Sequence, residues 1–304
     1  MFIETMKVQQ PGWDLAIIGD SLPPFELPSN VQHVHIPFEE MVDLLVDNVF
    51  NETSRPSQWK LKQLFKGGQG PKKVVDWKPL MGYLFPKVFE GYQWWGHMDN
   101  DLILGNLTKL FPQSDLQYYD TISGAREKKH LSWGPFMMYR NLPVLNELFK
   151  KAGHPDGFVE PTIYMFDEWA LRAKAKGWSM THMLRNHAEE LGIRPWNTDS
   201  IMLLDKHECP GSPKRYPDKE DLHNTTFPKQ DCAGCAFRPH SEKVLVRTYD
   251  QQEVFLCHYQ NSKRLYYDDS LNNTEKFQGL LERGEFHVNF THGFDFLENA
   301  PPVS

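Results

Sequence analysis

Two aspartates separated by one residue follow an aromatic, apolar stretch of the chain. Asp99 and Asp101 lie in the segment GYQWWGHMDNDLILG, which runs from Gly91 to Gly105. Two carboxylates at this spacing suit a hard divalent cation, which one carboxylate binds directly and the other directly or through water. Mg²⁺ or Mn²⁺ held there would take further ligands from a diphosphate and neutralise the charge on a departing phosphate.

The residues around these aspartates bear on whether they form a site or a surface turn. Asp and Asn are ordinary turn formers, so a turn at the surface is the alternative. Leu102–Leu104 follows without a polar spacer, which predicts that the acids lie inside a buried element. Burying two like charges is costly unless a cation or hydrogen-bond donors balance them.

The elements that must position these carboxylates predict an α/β protein. Asp14–Gly19, Val31–Ile36 and Tyr92–Met98 have strand patterns, and Pro37–Phe50 has helical periodicity. Alternating strands and helices predict a mixed, mostly parallel sheet flanked by helices, with ligands at the carboxyl ends of its strands. The remaining expected elements are helices in Met1–Gln10, Ser57–Phe65, Val74–Phe89, Leu142–Ala152 and Asp167–Lys176, a loop at Lys66–Pro71, and a hairpin of Val244–Tyr249 with Glu253–His258.

Composition narrows the function classes. The 304 residues carry a net charge of −7, and 40% of them are hydrophobic, which is ample for a core. The negative net charge does not indicate nucleic-acid binding. No apolar run reaches the roughly 18 residues that span a bilayer. We therefore expect no nucleic-acid partner, and membrane association only through a segment outside this chain.

Ordered motifs resemble a family of GT-A-fold glycosyltransferases typical of capsular and surface polysaccharide synthesis. The resemblance begins with KVVDWKPLMG (residues 73–82), which is similar to a Lys-x-x-Asp-x-Lys-Pro-x-x-Gly helix, and continues with the Trp-Gly strand that ends in Asp-x-Asp. Further matches follow in family order at GPFMMYRN (134–141), at Phe166–Glu168 and at EVFLCHYQNSK (253–263). Together the pieces cover roughly residues 14–264, and their order is more specific than any one of them.

The resemblance implies roles by position. Asp99 and Asp101 look like the pair that binds the metal and the nucleotide sugar, and His258 like a late histidine that returns to the metal. An imidazole ligand favours Mn²⁺ over Mg²⁺. Further residues are expected to bind substrate: Lys78 and Lys263 at the diphosphate, Asp76 holding Lys78 or contacting the sugar nucleotide, and Arg140 and Asn141 at donor or acceptor.

Some of these residues also have structural interpretations. His258 could be a core histidine in a strand, Asp76 and Lys78 a helix cap and a surface pair, and Asn141 a cap for the helix that follows it. Asp167 and Glu168 open an expected helix, where the dipole favours acids. Their functional interpretation is catalytic, with one of them as the general base for an acceptor hydroxyl. Inverting and retaining outcomes both remain open.

The expected organisation is one GT-A-like domain over residues 1–264, with an irregular insertion near 205–240 and a partly irregular extension over 265–304. The family usually begins with a further strand at the nucleotide base. We expect that strand, and a segment carrying it, to lie upstream of Met1.

The four cysteines support a competing hypothesis. Cys232 and Cys235 have the spacing of half a zinc site, which Cys209, His207 or His240 could complete. Disulfides or free thiols are equally compatible with one such pair. A zinc-stapled interaction domain therefore stays open.

Asn-x-Thr sequons favour a secretory, Golgi-like lumen if the source is eukaryotic, and a cytoplasmic location is the alternative. They begin at Asn51, Asn106, Asn224, Asn272 and Asn289. The leading hypothesis is a metal-dependent glycosyltransferase that moves a sugar from a nucleotide-diphosphate sugar to a glycan or lipid-linked acceptor hydroxyl. The alternative is a catalytically inactive glycan- or nucleotide-sugar-binding protein on the same fold.

Overall fold

The computed structural model describes most of the first 197 residues and short strands beyond them. The described residues are 2–7, 9, 12–23, 25–50, 55–65, 69–100, 102–124, 131–153, 155–160, 166, 178–197, 202–204, 234–237, 246–247, 253–254, 256–258, 286–289 and 293–295.

The α-helices of the described part of the chain have 4 to 12 residues. The α-helices are α1 (Phe2–Lys7), α2 (Phe38–Val49), α3 (Gln58–Phe65), α4 (Gln69–Trp77), α5 (Met81–Leu84), α6 (Leu107–Leu110), α7 (Gln113–Tyr118), α8 (Pro143–Asn146) and α9 (Met180–His187). Turns of 3₁₀-helix cover Lys78–Leu80, Leu148–Ala152 and Pro155–Phe158.

Strands occur along the whole described chain. They are β1 (Leu15–Gly19), β2 (Val31–His35), β3 (Trp94–Met98), β4 (Leu102–Leu104), β5 (Thr121–Ser123), β6 (Phe136–Arg140), β7 (Pro195–Asn197), β8 (Met202–Leu204), β9 (Gly234–Phe237), β10 (Val246–Arg247), β11 (Glu253–Val254), β12 (Leu256–His258), β13 (Phe286–Asn289) and β14 (Gly293–Asp295).

These strands form four sheets with mixed pairing. Their orders are β1-β2, β3-β6-β5-β7, β4-β12-β8 and β11-β10-β9-β13-β14. Only β1-β2, β5-β7 and β12-β8 are parallel among the described pairs, and the other pairs are antiparallel. The mixed α/β class is confirmed, but the expectation of a mostly parallel sheet is wrong for the described strands. Alternation of strands and helices does not reveal which strands become neighbours.

The sheet β3-β6-β5-β7 is covered on both faces. Met137 and Tyr139 of β6 pack into a cluster with the helices α2, α4, α5 and α9, whereas Phe136 and Met138 pack into a second cluster with β4 and α6. Successive side chains of a strand point to opposite faces, so each residue of this run meets one of the two clusters. This explains why the strand reads as a continuous apolar run.

Helix α2 follows the expected helix closely. Pro37 precedes its first residue, and Glu39 and Glu40 stand in the first turn, where acids are favoured. Met41 and Leu45 on one face are buried in the first cluster. Strands β1 and β2 and helix α3 are likewise confirmed within a residue of their expected bounds.

Several expected elements differ from the structure, including the helix expected over Val74–Phe89, which is divided into α4, a 3₁₀ turn and α5. Residues Gln69–Pro71 begin α4 instead of ending a loop, because proline is tolerated in the first turn of a helix. The helix expected over Leu142–Ala152 is divided into α8 and a 3₁₀ turn. Leu142 is the N-cap of α8, so Asn141 does not cap it. The helix expected over Asp167–Lys176 lies outside the described residues.

The expected late hairpin is confirmed only in part. Strands β10 and β11 pair antiparallel, with Val246 opposite Val254. The last residues of the expected second strand form β12, which joins β4 and β8 in another sheet. Residue 255 separates the two strands.

The residues after the proposed boundary at 264 pair with residues before it. Strand β13 pairs antiparallel with β9, from Phe286 opposite Phe237 to Asn289 opposite Gly234. The five-stranded sheet therefore takes strands from both sides of the boundary. The division into a domain and an extension stays a prediction.

Candidate functional site

Lys78 and Asp99 form an ion pair at the end of β3. Lys78 Nζ lies 2.7 Å from Asp99 Oδ1 and donates a second hydrogen bond to the Gly134 carbonyl oxygen at 3.0 Å. The side chains are 16% and 28% exposed, so the pair lies at the protein surface but is partly shielded. The motifs KVVDWKPLMG, Asp-x-Asp and GPFMMYRN thus meet at this ion pair.

Trp77, the residue before Lys78, is fixed by contacts of its buried side chain. The Trp77 indole is fully buried, stacks on Phe38 with ring centroids 5.9 Å apart, and donates to the Phe158 carbonyl oxygen at 2.9 Å. Lys78 follows at the start of the 3₁₀ turn that contains Pro79. The base of the lysine side chain is therefore anchored.

Asp99 is held by the chain that precedes β6. Its backbone N–H donates to the Pro135 carbonyl oxygen at 3.0 Å, which continues the β3-β6 pairing beyond Met98. Strands β3 and β6 approach closely at Gly96, where a Cβ atom would stand 2.4 Å from the Met137 carbonyl oxygen. Gly134 and Pro135 thus provide the carbonyl groups that hold both members of the ion pair.

His97 is a neighbour of this site that sequence reasoning missed. Its imidazole is buried, donates from Nδ1 to the Gly134 carbonyl oxygen at 3.2 Å, and has Nε2 3.5 Å from the Tyr139 hydroxyl. Burial, and then the positive charge of Lys78, hold the pKa of His97 well below its ordinary value, so the ring is neutral. The sequence signal that could have identified His97 is its position inside an apolar strand, two residues before Asp99.

Asp76 belongs to a buried ion pair. It is fully buried and forms an ion pair with Lys73, which is also fully buried. Asp76 Oδ1 accepts a hydrogen bond of 2.6 Å from the backbone N–H of Phe166. A direct contact with a sugar nucleotide does not fit this burial, and the carboxylate pairs with Lys73.

The Asp76 contact anchors the segment that contains the expected catalytic acids. Phe166 is held at both backbone groups, since its carbonyl oxygen accepts from the Met180 N–H at 2.7 Å. Asp167 and Glu168 come directly after Phe166 in the chain but lie outside the described residues. The structure thus fixes the residue before them next to α4.

Arg140 lies at the far end of the strand pair from Asp99. Residue Trp94 pairs with Arg140 and Met98 with Phe136, and four residues of strand span about 13 Å. The Arg140 guanidinium donates to the carbonyl oxygens of Leu116, Gln117 and Tyr119 at 2.7–3.0 Å, where helix α7 ends. These contacts give Arg140 a structural role as a helix cap.

The Asn141 side chain has a structural role too, because it hydrogen-bonds to the loop before β3. Its side-chain amide donates to the carbonyl oxygens of Phe89 at 2.9 Å and Tyr92 at 3.1 Å. Its Oδ1 accepts from Asn146, whose own Oδ1 accepts from the Trp95 indole. The structure therefore does not bring Arg140 and Asn141 to the Lys78–Asp99 pair.

His258 is the last residue of β12, whose backbone pairs with β4. In this antiparallel register His258 is opposite Leu102, and Cys257 is opposite Ile103. Leu102 comes immediately after Asp101 in the chain. The pairing joins two motifs more than 150 residues apart, and it brings the backbone of His258 to the end of the Asp-Asn-Asp segment.

Several expected residues lie outside the described part of the chain. They are Asp101, Asp167, Glu168, Lys263, Cys209, Cys232, His207 and His240. Cys235 lies in β9 and Cys257 in β12. Among the described residues, no group of three or more His, Cys, Asp or Glu side chains is arranged to hold a metal ion. The zinc hypothesis stays open.

Fold and site define a mixed α/β protein with a carboxylate, a lysine and a buried histidine at one sheet edge. The chain belongs to the family of unknown function DUF6625, whose model matches residues 1–283. Comparisons with curated proteins and with solved structures found no match. No helix in the described ranges is long and apolar enough to cross a membrane.

Proposed function

We propose that this chain is a metal-dependent glycosyltransferase with a GT-A-like fold. It would move a sugar from a nucleotide-diphosphate sugar to a hydroxyl group of a glycan or lipid-linked acceptor. The proposed location is a secretory, Golgi-like lumen if the source is eukaryotic, and the cytoplasm is the alternative.

The observation that carries the proposal is the meeting of separate motifs at the end of β3. Lys78 pairs with Asp99 and donates to the Gly134 carbonyl oxygen. The register of β12 with β4 brings His258 opposite Leu102. Each motif is weak evidence in the sequence. Their proximity in space supports a common site, because unrelated turns and strand ends would not be expected to converge.

A divalent cation at this point would bind Asp99 together with two ligands that are predicted from the sequence. Asp99 offers a carboxylate that is 28% exposed, and Asp101 and His258 would complete a set of oxygen and imidazole ligands suited to Mn²⁺, or less typically Mg²⁺. The ammonium group of Lys78 shows that a positive charge is accommodated beside Asp99. The cation would supply Lewis-acid stabilisation of the departing diphosphate.

The protein's own residues supply binding and positioning. Lys78 and Lys263 would bind the diphosphate, and buried Asp76 would keep Phe166, and thereby the start of Asp167–Glu168, beside α4. One of these two acids would accept the proton of the acceptor hydroxyl in an inverting reaction. A retaining outcome would assign that proton to another group.

The test measures thermal stability with a panel of UDP-, GDP- and dTDP-sugars, with and without Mn²⁺, followed by donor hydrolysis. A ligand that binds only the folded state raises its stability, so one nucleotide class should raise Tm only together with Mn²⁺. Asp99→Asn should abolish that shift and lower hydrolysis by a factor of about 100 or more.

Exposed Asp47 provides the matched control. Asp47 pairs with Arg55 and is 58% exposed, so Asp47→Asn should behave as wild type. A metal-dependent shift without hydrolysis would instead support the inactive binding protein. If Asp99→Asn left both readouts unchanged, the metal role of Asp99 would be wrong.

A further inference from the structure

The ammonium group of Lys78 contacts the carboxylate proposed to bind the cation. Lys78 Nζ lies 2.7 Å from Asp99 Oδ1. It also donates a hydrogen bond of 3.0 Å to the Gly134 carbonyl oxygen. A divalent cation bound to Asp99 would share this carboxylate with a positive charge already at hydrogen-bond distance.

The lysine is anchored at its base, and its charge lies at the end of a flexible stem. Buried Trp77 fixes the backbone on one side, and buried Pro79 on the other. A lysine carries its charge on a flexible four-carbon stem, so the ammonium group can leave Asp99 without any change in the backbone. The pair is 16% and 28% exposed, and the carboxylate is reachable from solvent.

We propose that Lys78 is a built-in competitor of the divalent cation at Asp99. It neutralises the carboxylate while the site lacks the cation, and the cation must displace it or bear its repulsion. The displaced ammonium group is then free for a diphosphate. This inference rests on the proposed function, because it takes Asp99 as a cation ligand.

The competing interpretation predicts the opposite change in cation affinity when the charge of Lys78 is removed. If Lys78 instead orients Asp99 for the cation, removal of its charge weakens cation binding. If Lys78 competes, removal of its charge tightens cation binding, because the cation no longer exchanges with or meets a positive neighbour. A unit charge about 4 Å away changes affinity by roughly three- to tenfold under the strong screening of a partly exposed site.

The experiment measures the affinity of Mn²⁺ alone for the full chain, by the electron paramagnetic resonance signal of free Mn²⁺ in nucleotide-free buffer. The variants are Lys78→Met, Lys78→Arg, Asp99→Asn and Lys60→Met. Lys60 is the matched control, since it forms a pair with Asp156 at the same 2.7 Å and neither residue belongs to the proposed site. Lys78→Gln is used if Lys78→Met fails to fold by circular dichroism.

The expected result is a Kd about three- to tenfold lower in Lys78→Met than in the wild type, with little change in Lys78→Arg and Lys60→Met and no binding in Asp99→Asn. Unchanged or weaker binding in Lys78→Met, with wild-type binding still dependent on Asp99, overturns the competition and leaves the proposed function standing. Absence of Asp99-dependent binding in both wild type and Lys78→Met overturns the competition together with the proposed metal site.

Discussion

Lys73 and Asp76 form an ion pair in which both side chains are 0% exposed. Such a pair is retained only when each charge is compensated, and here the remaining Asp76 oxygen accepts from the Phe166 N–H. Apart from Pro79, the four defined positions of KVVDWKPLMG thus have three structural roles. Lys73 and Asp76 anchor Phe166, Lys78 contacts Asp99, and Gly82 makes room for Trp95.

The residue-scale prediction concerns this buried pair. Lys73→Met should lower the free energy of unfolding by roughly 3–5 kcal/mol, because it leaves the Asp76 charge buried without its partner. The double variant Lys73→Met/Asp76→Asn should lose less than the sum of the two single losses. Urea denaturation measures all three values.

The exposed pair of Lys60 and Asp156 is the control for that cycle. Its side chains are 32% and 57% exposed, so its variants should change the unfolding free energy by less than about 1 kcal/mol. Additive losses in the Lys73 and Asp76 variants would contradict direct coupling between the two residues.

At the scale of elements, α4, the 3₁₀ turn and α5 position the lysine against the end of β3. Pro79 interrupts the helical run, and Lys78 lies at that junction. On the far side Gly82 of α5 faces Trp95 of β3, and a Cβ atom at residue 82 would stand 2.3 Å from the indole ring. The helix can lie this close to the strand only because residue 82 has no side chain.

The element-scale prediction follows from that contact. Gly82→Ala should destabilise the protein by roughly 1–3 kcal/mol, since either Trp95 or α5 must move. Gly19→Ala is the matched control, because nothing lies within 4 Å of the Cβ position there, and it should stay within about 0.5 kcal/mol of wild type. Equal Tm values for the two variants would show that Trp95 adapts without cost.

At the scale of the whole molecule, distant segments complete one another's sheets. Strand β12 lies between β4 and β8, and β13 lies between β9 and β14. The family match crosses residue 264 and ends before β13 begins. Residues on both sides of the proposed domain boundary thus share a sheet.

The whole-molecule prediction tests that boundary. A chain ending at Arg264 lacks β13 and β14 and leaves one edge of β9 without a strand, so it should be less soluble and melt at a lower temperature than the full chain. A chain ending at Glu298 keeps both strands and should match the full chain. Size-exclusion chromatography and thermal melting measure the two outcomes, and an unchanged Arg264 chain would establish residues 265–304 as a separate extension.

Much of the local structure could be predicted from the sequence. Periodicity and turn residues within short windows indicated β1, β2, β3, α2 and α3, because these signals depend on neighbours a few residues apart. The site residue Asp99 was predicted at a strand end, where the structure has it. Its contact with Lys78 was not predicted.

Long-range pairing determined the remainder. The sequence contained no local signal that β12 joins β4, that Asp76 holds Phe166, or that Arg140 caps α7 at the far end of β3 from Asp99. Each of these contacts joins partners through burial and strand register, which depend on how the whole chain packs. Residue types and spacing therefore predicted the candidate chemistry, and packing selected the residues that meet at the end of β3.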